Sequence, residues 1–101
     1  MSDLFNISFD ADSQIFNVSG ELTLDTAKAV LSESTNLFDS AARIDIDLTN
    51  VTRADSAGLA LLIAWMRQAR QGSKPIEFQH VPSQMMAIAK ASGLDEILPV
   101  K

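Results

Sequence analysis

The chain has 101 residues, no cysteine and a formal net charge of -5. That length fits one domain over residues 1–101, and a hydrophobic fraction of 47% is enough to fill its core. The acidic balance argues against nucleic acid or an anionic membrane face as partner, and the lack of cysteine excludes disulfides and thiolate chemistry. The N-terminus has no basic stretch followed by an apolar one, so no secretory signal is expected. No apolar run approaches the ~20 residues of a membrane span. A cytoplasmic location is expected, with any membrane association, or direct insertion, left to a partner.

In chain order, Phe5, Ile7 and Phe9 alternate with Asn6, Ser8 and Asp10, the period of a half-buried strand. Asp10 to Ser13 is turn chemistry, and Ile15 to Ser19 pairs back as a hairpin that Gly20 ends. Thr23 is placed to cap a first helix, with Leu22 as a hydrophobic staple. Ala27, Val30, Leu31, Ser34, Leu37 and Phe38 then recur at helical spacing. Arg43 to Leu48 reads as a third strand, with Ile44, Ile46 and Leu48 on one face and Asp45 and Asp47 on the other. A polar loop, Thr49 to Asp55, leads into a second helix over about Ala57 to Gln71.

Spaced at about 100° per residue, Leu59, Leu62, Ile63, Met66 and Ala69 share the side of that helix that faces the sheet. Arg67 and Gln71 lie opposite; Ala57, Ala60, Ala64 and Gln68 share that outer side, with Leu61 and Trp65 at its rim. Small residues let another surface approach, and a rim Trp suits an interface anchor. The alternative is that Trp65 belongs to the core and the alanines are helix formers. Gly72 is placed as the C-cap, Pro75 to Phe78 as a short fourth strand with the proline tolerated at its start, and Pro82 or Ser83 opens a third helix that Gly93 ends. The order β-β-α-β-α-β-α implies an α/β fold with a partly parallel sheet.

Little chemistry is available for catalysis. His80 is the only histidine, so a nucleophile–base pair or a nitrogen-rich metal site has no second member. The four glycines are scattered, which removes a phosphate-binding loop. No cofactor, metal or small-molecule substrate is expected. Asp47 and Asp55 could meet at the carboxyl edge of the sheet, where open α/β folds place their sites, or Asp47 could simply be solvated. Ser56 also has two readings. Asp-Ser before a helix is ordinary capping, worth about 1 kcal/mol. A regulatory hydroxyl is the other: a phosphate there sits at the helix's positive end but beside Asp55, and a dianion set into a packed alanine face breaks an interface.

Gly20-Glu21-Leu22, Ile46-Asp47-Leu48 followed by Val51, Asp55-Ser56-Ala57-Gly58-Leu59 and Ser92-Gly93-Leu94 together resemble a STAS domain, over nearly the whole chain. The resemblance implies a single mixed four-stranded sheet with helices packed mainly on one face. In the anti-sigma factor antagonists of that family the serine after the aspartate is phosphorylated, and it falls on Ser56. Gly58-Leu59-Ala60-Leu61-Leu62 and Asp95 to Pro99 are similar to the small MlaB-like STAS subunits of phospholipid-trafficking ABC transporters, with Ser56 and Ala57 where that branch has Thr and Gly. The resemblance then implies a non-catalytic subunit that docks on the transporter ATPase through Asp55, Ser56, Ala57, Gly58, Ala60, Leu61, Ala64 and Trp65. The alternative is an antagonist whose partners are an anti-sigma factor and a serine kinase acting on Ser56.

Overall fold

The computed structural model describes residues 4–101. Its elements are β1 (Phe5–Asp10), β2 (Ile15–Leu22), α1 (Ala27–Asp39), β3 (Ile44–Ala54), α2 (Ser56–Gln71), β4 (Ile76–Gln79) and α3 (Ser83–Ala91). The strands form one sheet in the order β1-β2-β3-β4. β1 and β2 are antiparallel; β2, β3 and β4 run parallel, which makes the sheet mixed. The fold is therefore the expected α/β arrangement.

The hairpin closes over Gln14 in the left-handed region (φ 59), and the Asp10 carboxylate accepts from the Asp12 amide at 2.9 Å. Gly20 carries φ 90, and a Cβ there would overlap the Leu4 carbonyl, so only glycine fits where β1 meets β2. The strand continues through Gly20 to Leu22 instead of ending there. α1 and α2 make parallel crossovers and cover one face of the sheet. Phe16, Val18, Ile44, Ile46, Leu48 and Phe78 point into that face and are buried. A run of ring contacts, Phe9–Phe16–Phe38–Trp65–Phe78, crosses the core with centroids 4.8 to 6.4 Å apart.

Two further expectations are corrected. Thr23 does not cap α1 with its side chain: Thr26 is the capping residue, its hydroxyl accepts from the Thr23 amide at 3.0 Å and donates to the Glu21 carbonyl at 2.7 Å. The buried Thr23 hydroxyl has no partner among the described residues. The segment Thr49–Ala54 is strand, not loop, because Ser19, Gly20, Glu21 and Leu22 supply it with a parallel partner through two shifts of register. Backbone pairing overrides side-chain polarity there. Gly72 is the C-cap of α2 as expected, its amide donating to the Gln68 and Arg70 carbonyls; it keeps an ordinary φ of -88, and Ser73 takes the left-handed turn at φ 55.

Candidate functional site

The start of α2 is built by Asp55. Its Oδ1 accepts from the Ala57 amide at 2.8 Å and the Gly58 amide at 3.3 Å, which makes it the N-cap. Its Oδ2 reaches back to the Leu24 amide at 3.2 Å, and its own amide donates to the Leu22 carbonyl at 3.3 Å. One carboxylate thus holds both the helix end and the β2–α1 loop.

Because Asp55 satisfies the helix amides, Ser56 is left as the first helical residue, exposed, with its hydroxyl bonded to nothing among the described residues. The capping reading of Ser56 therefore loses its basis. Ala60 is exposed one turn on, and Ala57 and Ala64 are half-buried beside it. Across the tethered loop Leu24 is 80% exposed, the most exposed large apolar side chain among the described residues. Leu24 escaped sequence reasoning because a lone Leu in a polar turn carries no periodicity; its place beside Ser56 depends on the long-range bond from Asp55.

Three of the eight expected docking residues lie elsewhere. Trp65 is fully buried between Phe38 and Phe78, and its indole N–H donates to Ser34 Oγ at 2.7 Å. Leu61 is buried in the same core. Gly58 is covered by the protein itself: a Cβ there would overlap the Leu22 carbonyl oxygen, so the glycine serves the packing of α2 on β2. Ile63 and Met66, expected to face the sheet, are only half-buried. The helix is thus turned so that Gly58, Leu61 and Trp65 look inward. Asp55, Ser56, Ala57, Ala60 and Ala64 remain accessible in whole or part.

Asp47 does not join Asp55. It accepts from Thr49 N at 2.9 Å, Thr49 Oγ1 at 2.6 Å and His80 Nδ1 at 3.1 Å. Burial works against its charge, but these hydrogen bonds and the imidazole outweigh that and hold it below the usual carboxylate value. β3 runs on from Asp47 to Ala54, so Asp55 follows eight residues after Asp47, roughly 26 Å along the strand direction at ~3.3 Å per residue. No group of three or more His, Cys, Asp or Glu able to hold a metal occurs among the described residues.

With this geometry in view, the family assignment is direct. The family model described as "Mlab, STAS domain" matches residues 5–99, and the chain belongs to that family. No curated protein matches the chain. Among solved structures it is similar to an anti-sigma factor antagonist from Mycobacterium paratuberculosis: 24% identity, TM-score 0.74, covering 99% of this chain and 87% of that one. The phosphorylated form of the Bacillus cell fate determinant SpoIIAA is similar at 18% identity and TM-score 0.67, covering 96% and 90%. A sulfate transporter family protein from Wolinella succinogenes is similar at 14% identity and TM-score 0.66, covering 85% and 73%. At these identities the likeness is one of fold. STAS domains are protein-interaction modules. No helix among the described residues is long and apolar enough to cross a membrane.

Proposed function

We propose that the protein is a non-catalytic docking subunit whose contact surface is centred on Ser56. The observation that carries this reading is the Ser56 hydroxyl itself: it is exposed, it makes no hydrogen bond among the described residues, and Asp55 performs the capping that would otherwise explain it. Around it, small residues at Ala57 and Ala60 allow close approach, and Leu24 offers an apolar anchor on a loop that Asp55 holds in place. The partner we favour is the ATPase of a phospholipid-trafficking ABC transporter, which would hold the subunit at the cytoplasmic face of the inner membrane. The MlaB description of the matching family model supports it. No cofactor, metal, nucleic acid or small-molecule substrate takes part.

A second reading is favoured by the likeness to anti-sigma factor antagonists, one of them solved with phosphate attached. In it a serine kinase modifies Ser56 and releases an anti-sigma factor. The chemistry is the same in both: a dianion beside Asp55, on a surface of small residues, repels a seated partner while leaving the core untouched.

Calorimetry with the purified ATPase separates them. Binding by the wild-type chain, its loss in Ser56→Asp, its retention in Ser56→Ala and a drop of about tenfold or more in Leu24→Glu are expected. Capture of an anti-sigma factor instead, with phosphate transferred to Ser56 by its kinase and ATP, establishes the second reading. Leu24→Glu and Ser56→Asp both binding as tightly as wild type sinks the surface altogether.

A further inference from the structure

At the opposite end of α2, away from Ser56, a groove of about 770 Å³ opens between the last turns of the helix, the start of β4 and the C-terminal segment. Ile63, Met66, Ile76 and Ile97 give it an apolar floor, and Ile97 is 52% exposed. Arg67 and Arg70 stand on its rim, one helical turn apart. Neither arginine makes an ion pair among the described residues, where the salt bridges all belong to Arg43 and His80. Lys74 also lines the groove, but its Nζ donates to the Phe38 and Asp39 carbonyls at 2.7 and 2.8 Å. Among the described residues no carboxylate lines the groove, in a chain whose net charge is -5. The basic rim is therefore a local reversal of the protein's overall charge.

The groove also borders an open stretch of sheet edge. The Ile44 amide donates to the Pro75 carbonyl at 2.9 Å, so Pro75 turns toward β3 and its alternating neighbours Ile76 and Phe78 turn outward. Phe78 is occupied there: its amide donates to the Pro99 carbonyl at 2.8 Å, and its carbonyl accepts from the Lys101 amide at 2.9 Å. Ile76 presents the same pair of groups to the same edge, and no described backbone group meets them.

We propose that this groove binds an extended, acidic and aliphatic segment of a partner protein, whose carboxylates meet Arg67 and Arg70 and whose backbone pairs with Ile76. The three features together select that occupant. An anionic lipid satisfies the arginines and the apolar floor but leaves the Ile76 donor and acceptor unmet. A peptide satisfies all three, adding a short strand where residues 99–101 stop covering the edge. The charge complementarity also predicts fast, salt-sensitive association.

The test uses a fluorescein-labelled hexapeptide of alternating aspartate and isoleucine, its lysine–isoleucine counterpart, and phosphatidylglycerol vesicles. Binding of the acidic peptide, read by anisotropy and weakening with added salt, is expected, with amide shifts at Ile76 in a ¹⁵N-labelled chain. Arg67→Glu/Arg70→Glu is expected to lower that affinity by about tenfold or more. N-methylation of the peptide at one of its two alternating sets of amides is expected to abolish binding. Should the double variant lose its circular dichroism, Arg67→Gln with the salt titration gives the same reading. Equal binding of the basic peptide, amide shifts that spare Ile76, indifference to N-methylation, or arginine-dependent binding of vesicles in place of peptide overturns the proposal.

Discussion

Ser56 and Gly58 stand two residues apart in one motif and have opposite relations to the rest of the molecule. Ser56 is exposed and its hydroxyl has no hydrogen-bond partner among the described residues, so Ser56→Ala is expected to change stability by less than about 0.5 kcal/mol in urea titration, the range of an ordinary surface change. Were it the cap, the loss would be about 1 kcal/mol. Gly58 lies against the Leu22 carbonyl, and Gly58→Ala forces α2 away from β2. A destabilisation of about 1–3 kcal/mol is expected from such overpacking, read from the shift of the urea midpoint. A motif of this kind therefore mixes a residue kept for contact with a residue kept for packing. Trp65 belongs with the second sort: the Ser34 hydroxyl accepts its N–H, which solves the problem of burying an indole donor.

At the scale of the element, α2 owes its entry angle to Asp55. The carboxylate satisfies two of the helix's first amides and also fastens Leu24, so a single side chain couples the helix start to the β2–α1 loop. Asp55→Ala is expected to cost about 1–2 kcal/mol. It should also speed hydrogen exchange at the Leu24, Ala57 and Gly58 amides, while Asp55→Asn, which keeps an acceptor, recovers part of both. Unchanged exchange at the Leu24 amide in the alanine variant would show that the loop is held by something else. β3 makes a related point. Its polar half, Thr49 to Arg53, has the composition of a loop, yet it pairs with β2 as far as Leu22. That pairing carries the chain straight to Asp55, so the site begins at the end of the sheet and not on a free loop.

For the whole molecule, acid stability is tied to the solvated face of the sheet, where Asp47 sits with Thr49 and His80. Its carboxyl is held below the ordinary value of 3.8, so its charged form is favoured by folding. The resulting stability is fully present above 3.8 and is lost as pH falls through the lower folded value. Urea midpoints for the wild type should decline as pH drops below 3.8, and Asp47→Asn should decline less over the same window. An identical decline in the variant would assign the acid sensitivity to other carboxylates.

The order of strands and helices, the inward faces of β1 to β3 and the existence of a hydroxyl at the head of α2 were all written in local patterns of period two and 3.6. The rotation of α2 about its own axis was not. Leu59, Leu61, Leu62, Ile63, Trp65 and Met66 cover most of the helix circumference, so periodicity leaves the buried side nearly undefined. Two long-range facts settled it: the close approach of Gly58 to Leu22, and the bond from the Trp65 indole to Ser34. Both join residues more than thirty positions apart, and only the packed chain brings them together. The same holds for Leu24 beside Ser56 and for the open Ile76 edge, since neither exists until the sheet and its crossovers have formed.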